Sequence, residues 1–256
     1  MTTPSPSSNP DARFWDKTSQ KYSKSAIADQ EGYQRTLDKT LTFLQPTHSV
    51  LELGCGTGST AIHLARESRV GSYLGTDISS GMIAIANEKI SPSAPTPENK
   101  SGDNNPEAPP PPPPDNNNNN NNLRFQVATA EELVSAPESE KYDVVLGFNY
   151  LHLVRDLPGT LKSISALTKP GGLFLSKTPC IRDMTLGMVL LPVMPLARAV
   201  GLAPFVGGFT SAELKRQMEA AGFEVLEMEY HSGGKSSKGV MGDERPFVAA
   251  RKKVVT

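Results

Sequence analysis

Two short runs carry the residue types that bind and orient a reactive ligand: Val50-Leu51-Glu52-Leu53-Gly54-Cys55-Gly56-Thr57-Gly58 and Gly75-Thr76-Asp77-Ile78-Ser79. Glycines between a strand and a helix permit positive φ and let backbone amides approach a ligand at a helix N-terminus. By itself such a loop is ambiguous. Gly56-Thr57-Gly58-Ser59-Thr60-Ala61 fits a permissive dinucleotide pattern, so an NAD-type oxidoreductase is one reading. No Gly-Lys-Ser/Thr follows, which excludes a nucleoside-triphosphate loop. Asp77, about twenty residues on at the end of the next strand, suits a pair of ribose hydroxyls in either reading. Glu52 discriminates: an acid two residues before the first glycine sits badly beside a pyrophosphate and suits a ligand bearing an ammonium group.

The elements around these runs follow from apolar periodicity. Helices are expected at Asp11 to Ser23 and Gln30 to Leu44, the second with Tyr33, Leu37, Leu41 and Leu44 on one face. Strand 49–53 leads into the glycine turn, a helix from Ser59, strand 73–77, and a helix over 82–90 capped by Ser79 or Ser80. Strands follow at 123–127, 142–147 and 173–176, with helices near 130–134 and 157–167 between them. Near-continuously apolar strands alternating with helices predict a parallel sheet covered on both faces, with its ligand at the carboxyl ends of the central strands. Thr210 with Glu213 forms a capping box, and Phe223–Tyr230 with Pro246–Ala250 reads as an antiparallel hairpin. The fold class is therefore α/β, a doubly wound, mostly parallel sheet of seven strands closed by an antiparallel C-terminal hairpin.

In this order the motifs resemble those of class I S-adenosylmethionine-dependent methyltransferases, above all the small-molecule, ubiquinone-methyltransferase-like group. The two runs above resemble the first two motifs, Ala128-Thr129-Ala130-Glu131-Glu132-Leu133 the adenine-contacting motif, and Tyr142 to His152 the fourth-strand motif. Leu167-Thr168-Lys169-Pro170-Gly171-Gly172 resembles the turn before the fifth strand, and Phe14-Trp15-Asp16-Lys17 the group's N-terminal helix. The resemblance implies S-adenosyl-L-methionine as cofactor. It places Gly54, Gly56 and Gly58, with Cys55 and Thr57 between them, along the methionine and ribose parts, and Glu52 toward the amino end. It places Asp77 on the ribose, Ile78 against the adenine face, Thr129 and the Ala130 amide at the adenine edge, and Asn149 near the reactive methyl. Thr129 departs from the pattern, because many relatives carry Asp there.

Methyl transfer needs alignment more than acid–base chemistry, and a base only for a hydroxyl or carbon acid. His152 is the candidate base. Asn149-Tyr150-Leu151 is not the Asn/Asp-Pro-Pro-Tyr run of enzymes that methylate exocyclic amines, and Cys180 follows the fifth strand rather than the fourth. The apolar segment over 183–207, with Met188 and Met194, is expected to form a substrate-facing lid together with Trp15 and Tyr22. A small hydrophobic acceptor is the implied substrate. A non-catalytic binding or regulatory protein on the same fold is the remaining alternative.

Composition limits the other classes. The chain of 256 residues holds 26 Lys+Arg against 27 Asp+Glu, a net charge of −1, which removes any bulk electrostatic case for nucleic acid. Two cysteines lack zinc-site spacing, and no metal site is expected. The segment 188–197 is too short for a membrane span, and Met1 to Pro6 has no signal-peptide pattern, so a cytoplasmic location is expected. The hydrophobic fraction of 37% is low, and 22 prolines are many. Ten of those prolines and ten asparagines fall in 91–122, including the unbroken run Pro109 to Pro114. This stretch reads as a disordered insertion in a single domain over 11–252, after a polar tail over 1–10. Its proline run is a ligand type for aromatic grooves on a partner protein.

Overall fold

The computed structural model describes residues 9–25, 27, 29–91, 122–137, 139–184, 194–199, 201, 203–230 and 245–254. Most of the expected N-terminal tail, residues 92–121 of the insertion, residues 185–193 of the apolar segment (Met188 among them) and the hairpin connection over 231–244 lie outside the described residues.

Seven strands form one sheet in the order β3-β2-β1-β4-β5-β7-β6. They are β1 Ser49–Leu53, β2 Ser72–Asp77, β3 Leu123–Val127, β4 Tyr142–Phe148, β5 Thr168–Lys177, β6 Phe223–Tyr230 and β7 Pro246–Lys252. The first five pair in parallel; β7 inserts antiparallel between β5 and β6. The hairpin is thus welded to the sheet through its second strand. Among the described residues the helices are α1 Pro10–Ser23, α2 Gln30–Leu41, α3 Ser59–Ser68, α4 Ser80–Ile90, α5 Ala130–Ser135, α6 Leu157–Leu167, α7 Met194–Ala199 and α8 Ser211–Ala220. None of the described helices is long and apolar enough to cross a membrane.

Alternation along the strands splits the core in two. On one face Leu51, Leu53, Val145 and Phe174 pack under α6 and α8; on the other Val50, Tyr73, Val144 and Leu175 pack under α2 and α3. Glu52 falls on the second face with Val50, a carboxyl among apolar neighbours.

Several expected boundaries move, the furthest being that of β5, which begins at Thr168 rather than 173 and takes in most of the run expected as the turn before it, with a register shift against β4 between Tyr142 and Val144. Helix α1 starts inside the expected polar tail, because the Asn9 side chain accepts from the Asp11 amide and Pro10 fills the first turn, where no N–H donor is needed. The expected insertion loses both its end residues: the Ser91 amide caps α4, and the Asn122 side chain donates to the Val70 carbonyl. Helix α2 stops at Leu41 rather than Leu44, its last turn closed by the Thr42 amide bonding back to Lys39 and Thr40.

Helix α1 is held by its carboxylates. Asp16 accepts from Ser79 Oγ at 2.7 Å and the Gly81 amide at 2.9 Å, capping α4 from outside its own chain segment. Asp16→Ala is therefore expected to cost about 1–2 kcal/mol in urea unfolding, the usual range for loss of an N-cap. Trp15 is the single tryptophan, so a red shift of its emission before global unfolding reports release of α1. An unshifted emission spectrum would show that other contacts hold the helix.

Candidate active site

The strand order reverses between β1 and β4, so the loops leaving these neighbours diverge and leave a crevice at their carboxyl ends. A cavity of about 1450 Å³ occupies it. On one wall is the glycine turn. Gly54 and Gly56 have φ of +68° and +55°, and a side chain at Gly54 would meet the Tyr150 ring at 2.8 Å. The Cys55 amide donates to the Thr76 carbonyl at 2.9 Å, tying the turn to the end of β2.

Asp77 ends β2 on that wall. One carboxylate oxygen accepts from the Gly56 amide at 3.0 Å and the other from the Ser79 amide at 2.9 Å. Burial raises its pKa, and the two amides oppose that rise. A single acid thereby sets the spacing of the glycine turn and the start of the next helix. Ile78 lines the cavity beside it.

Glu52 is 3% exposed and lines the floor. Its Oε2 accepts from the Tyr73 hydroxyl at 2.7 Å. Burial pushes the carboxyl up to about 7, with the Asp77 charge adding to the rise and the Tyr73 hydrogen bond opposing it. Tyr73 reads in the sequence as an apolar strand residue; only the register of β1 on β2 places it beside Glu52. Cys55 and Thr57 also face the cavity, and burial raises the Cys55 thiol well above its usual value.

Two of the expected ligand positions are not among the residues that line the cavity. Gly58 is absent from the cavity wall; it starts α3 at φ +75°, pressed against Phe125 and Ala86. Ala130 is the first residue of α5, and its methyl group packs in the core, which leaves its backbone amide as the group expected at the adenine edge. Ala128, Thr129 and Glu131 line the cavity there. The Thr129 hydroxyl accepts from the Glu132 amide while the Glu132 carboxylate accepts from the Thr129 amide, a reciprocal cap. That cap supplies a physical reason for threonine at this place.

The opposite wall holds the acceptor-side candidates. Asn149 ends β4 at φ +49°, a conformation that asparagine tolerates better than most residues, and its amide donates to the Lys177 carbonyl at 2.7 Å. His152 lines the cavity with Nδ1 3.1 Å from Thr178 Oγ1. Burial, then the Arg245 charge, lowers its pKa to about 4. The ring is therefore neutral near pH 7 and only weakly basic, which moves it away from the strength expected of an efficient base. Trp15, Tyr22 and Met194 line the same cavity, Trp15 and Tyr22 edge to face at 6.2 Å. Leu153, Val154, Met184 and Val206 make this half apolar.

A clasp closes this side. Asp11 of α1 pairs with Arg155 at 2.6 Å and accepts from the Phe205 amide at 3.3 Å, while the Arg155 and Arg198 guanidiniums lie 5.3 and 5.5 Å from the Phe205 ring centre. The sequence offers no local signal for the Asp11 contacts, whose partners lie more than 140 residues away. Among the described residues no group of three His, Cys, Asp or Glu side chains is placed to hold a metal.

Comparison with known proteins resolves the ambiguity of the glycine loop. The chain is similar to the hybrid PKS-NRPS synthetase apdA of Emericella nidulans, 32% identical over 136 residues, which are 52% of this chain and 3% of that protein. It thus spans a small part of the length of the first curated relatives it matches. In fold it is similar to the [4+2]-cyclase SpnF, with a TM-score of 0.66, 16% identity and coverage of 98% of this chain and 99% of that one. It is likewise similar to magnesium protoporphyrin IX methyltransferase (ChlM) of Synechocystis with bound SAH, with a TM-score of 0.58, 18% identity and coverage of 95% and 96%. A methyltransferase-domain family model matches residues 26–228, from just before α2 into β6. On that match, this chain belongs to the methyltransferase-domain family.

Proposed function

We propose that this domain transfers the methyl group of S-adenosylmethionine to a small, largely apolar organic molecule. The observation that carries the reading is one continuous cavity with two chemically different halves. One half presents the glycine turn with Glu52 and Asp77; the other presents Trp15, Met184, Met194 and Val206.

The residues of the first half fit the cofactor. Asp77 would accept from its ribose hydroxyls, Glu52 lies on the side suited to its ammonium, and Ile78 offers an apolar surface to its base. Thr129 and the neighbouring Ala128 border the same end. When bound, the cofactor supplies a methyl activated by a sulfonium. The protein's own work is then to align an acceptor and keep water out. Tyr22 reaches over the glycine turn, its ring 3.8 Å from where a side chain at Gly56 would begin. Asn149 is held at the boundary between the halves by its bond to β5.

His152 has Nδ1 engaged with Thr178, which leaves Nε2 to meet an acceptor proton. Its low pKa means that it acts as a hydrogen-bond partner for an already acidic acceptor rather than as a strong base. The proline run at 109–114 remains a candidate site for a protein partner, and a cytoplasmic location remains a proposal.

Calorimetry with S-adenosylhomocysteine tests the cofactor assignment. The wild-type chain should bind it, and Asp77→Ala should bind about thirtyfold more weakly, the loss of charged hydrogen bonds worth about 2 kcal/mol. Transfer of an isotopically labelled methyl group to candidate apolar metabolites tests turnover. Binding without any turnover would mark a binding or regulatory role, and no binding of either cofactor form would overturn the proposal.

A further inference from the structure

Lys89, in the last turn of α4, is solvent-exposed, yet its ammonium reaches the start of the neighbouring helix. Its ammonium donates to the Thr57 carbonyl at 2.8 Å, Thr57 Oγ1 at 3.0 Å and Ser59 Oγ at 2.9 Å. Burial lowers its pKa. The site is the N-terminus of α3, where the helix field favours anions over cations and where Gly58 provides no side-chain cap. Specific bonds, not the field, therefore hold the ammonium in place.

The donor arithmetic has a consequence for the cavity. An ammonium has three donors and no acceptor, so both hydroxyls serve Lys89 as acceptors. Their own protons are left to donate elsewhere. Thr57 and Ser59 both line the cavity at the glycine turn. We propose that Lys89 is a positioning residue that turns Thr57 and Ser59 into a pair of hydroxyl donors, backed by a positive charge, for the carboxylate of the cofactor's amino-acid moiety. This rests on the cofactor assignment above and adds the subsite for one particular group. With Glu52 on the strand that leads into the turn, it gives this end of the cavity a separate partner for each charge of a zwitterionic amino acid.

The test compares two ligands that share the adenosine part. S-adenosylhomocysteine carries the carboxylate, and 5′-methylthioadenosine lacks it. Lys89→Met should weaken the first about tenfold while leaving the second within about twofold, a difference that calorimetry resolves readily. Thr57→Val and Ser59→Ala should show the same selectivity. They provide a second route should Lys89→Met fail to fold, which a circular-dichroism melt reveals. Equal loss of both ligands would show that Lys89 merely supports the loop, and unchanged affinity for both would show that it does neither; each overturns the proposal. Failure of the wild-type chain to bind either ligand would instead overturn the cofactor assignment.

Discussion

Glu52→Gln is expected to flatten the pH dependence of stability near neutrality. In the folded chain the Glu52 carboxyl titrates near 7, against an ordinary value of 4.5, chiefly because burial disfavours its charge. Between those values the native chain keeps a proton that the unfolded chain has lost. The contribution to stability is therefore complete below about pH 4.5 and is lost as pH rises through about 7, a total of about 3 kcal/mol. Urea midpoints measured from about pH 4.5 to about pH 8 should show the variant gaining on the wild type by that amount. A constant difference would show that Glu52 titrates alike in both states. Tyr73→Phe should widen the effect, because it removes the hydrogen bond that favours the ionised carboxyl. A buried carboxyl on the cavity floor, with one oxygen held by Tyr73, is consistent with the proposal of an ammonium-bearing ligand.

Gly58→Ala should destabilise the fold by about 3 kcal/mol, combining the left-handed backbone penalty with overpacking. The added methyl carbon would lie 2.6 Å from Phe125 Cζ and 2.9 Å from the Ala86 methyl, at φ +75°. Both neighbours are fixed, Phe125 in β3 and Ala86 in α4, so relief requires α3 to move off the sheet. A fall in the urea midpoint at unchanged slope would measure it. A loss below about 1 kcal/mol would show that the Phe125 ring simply swings aside. Gly56→Ala has no such neighbour within 3.4 Å, so its cost should come from backbone strain and from the cavity wall.

These two glycines illustrate what the sequence discloses. Spacing marks the loop, yet it cannot distinguish a glycine that admits a ligand from one that admits a helix. That distinction depends on Phe125, which arrives from beyond the 91–122 segment. The same holds for Glu52: its acidity and position point to a cationic ligand, but Tyr73 is recognisable as its partner only once β1 and β2 are in register. Local signals did well where the determinant is local. Strand β1, strand β3, helix α6 and strand β6 begin and end where apolar runs and their flanking turns place them. The contacts of Lys89 and Asp11 are not legible in the sequence, because a surface-type residue gives no periodic signal and their partners come from other elements. Asp16 belongs to the Phe14-Trp15-Asp16-Lys17 run, but its capping role depends on how α1 lands on α4.

Helix α1 is pinned at two points by carboxylates five residues apart, one on the cofactor-side helix α4 and one on the acceptor-side clasp at Arg155 and Phe205. It precedes the family-matched span, which begins at residue 26. The two ends of this strap are thus anchored to different halves of the cavity. Under the proposed function, substitutions at the Asp11 end are expected to change the acceptor half of the cavity, and those at Asp16 the cofactor half.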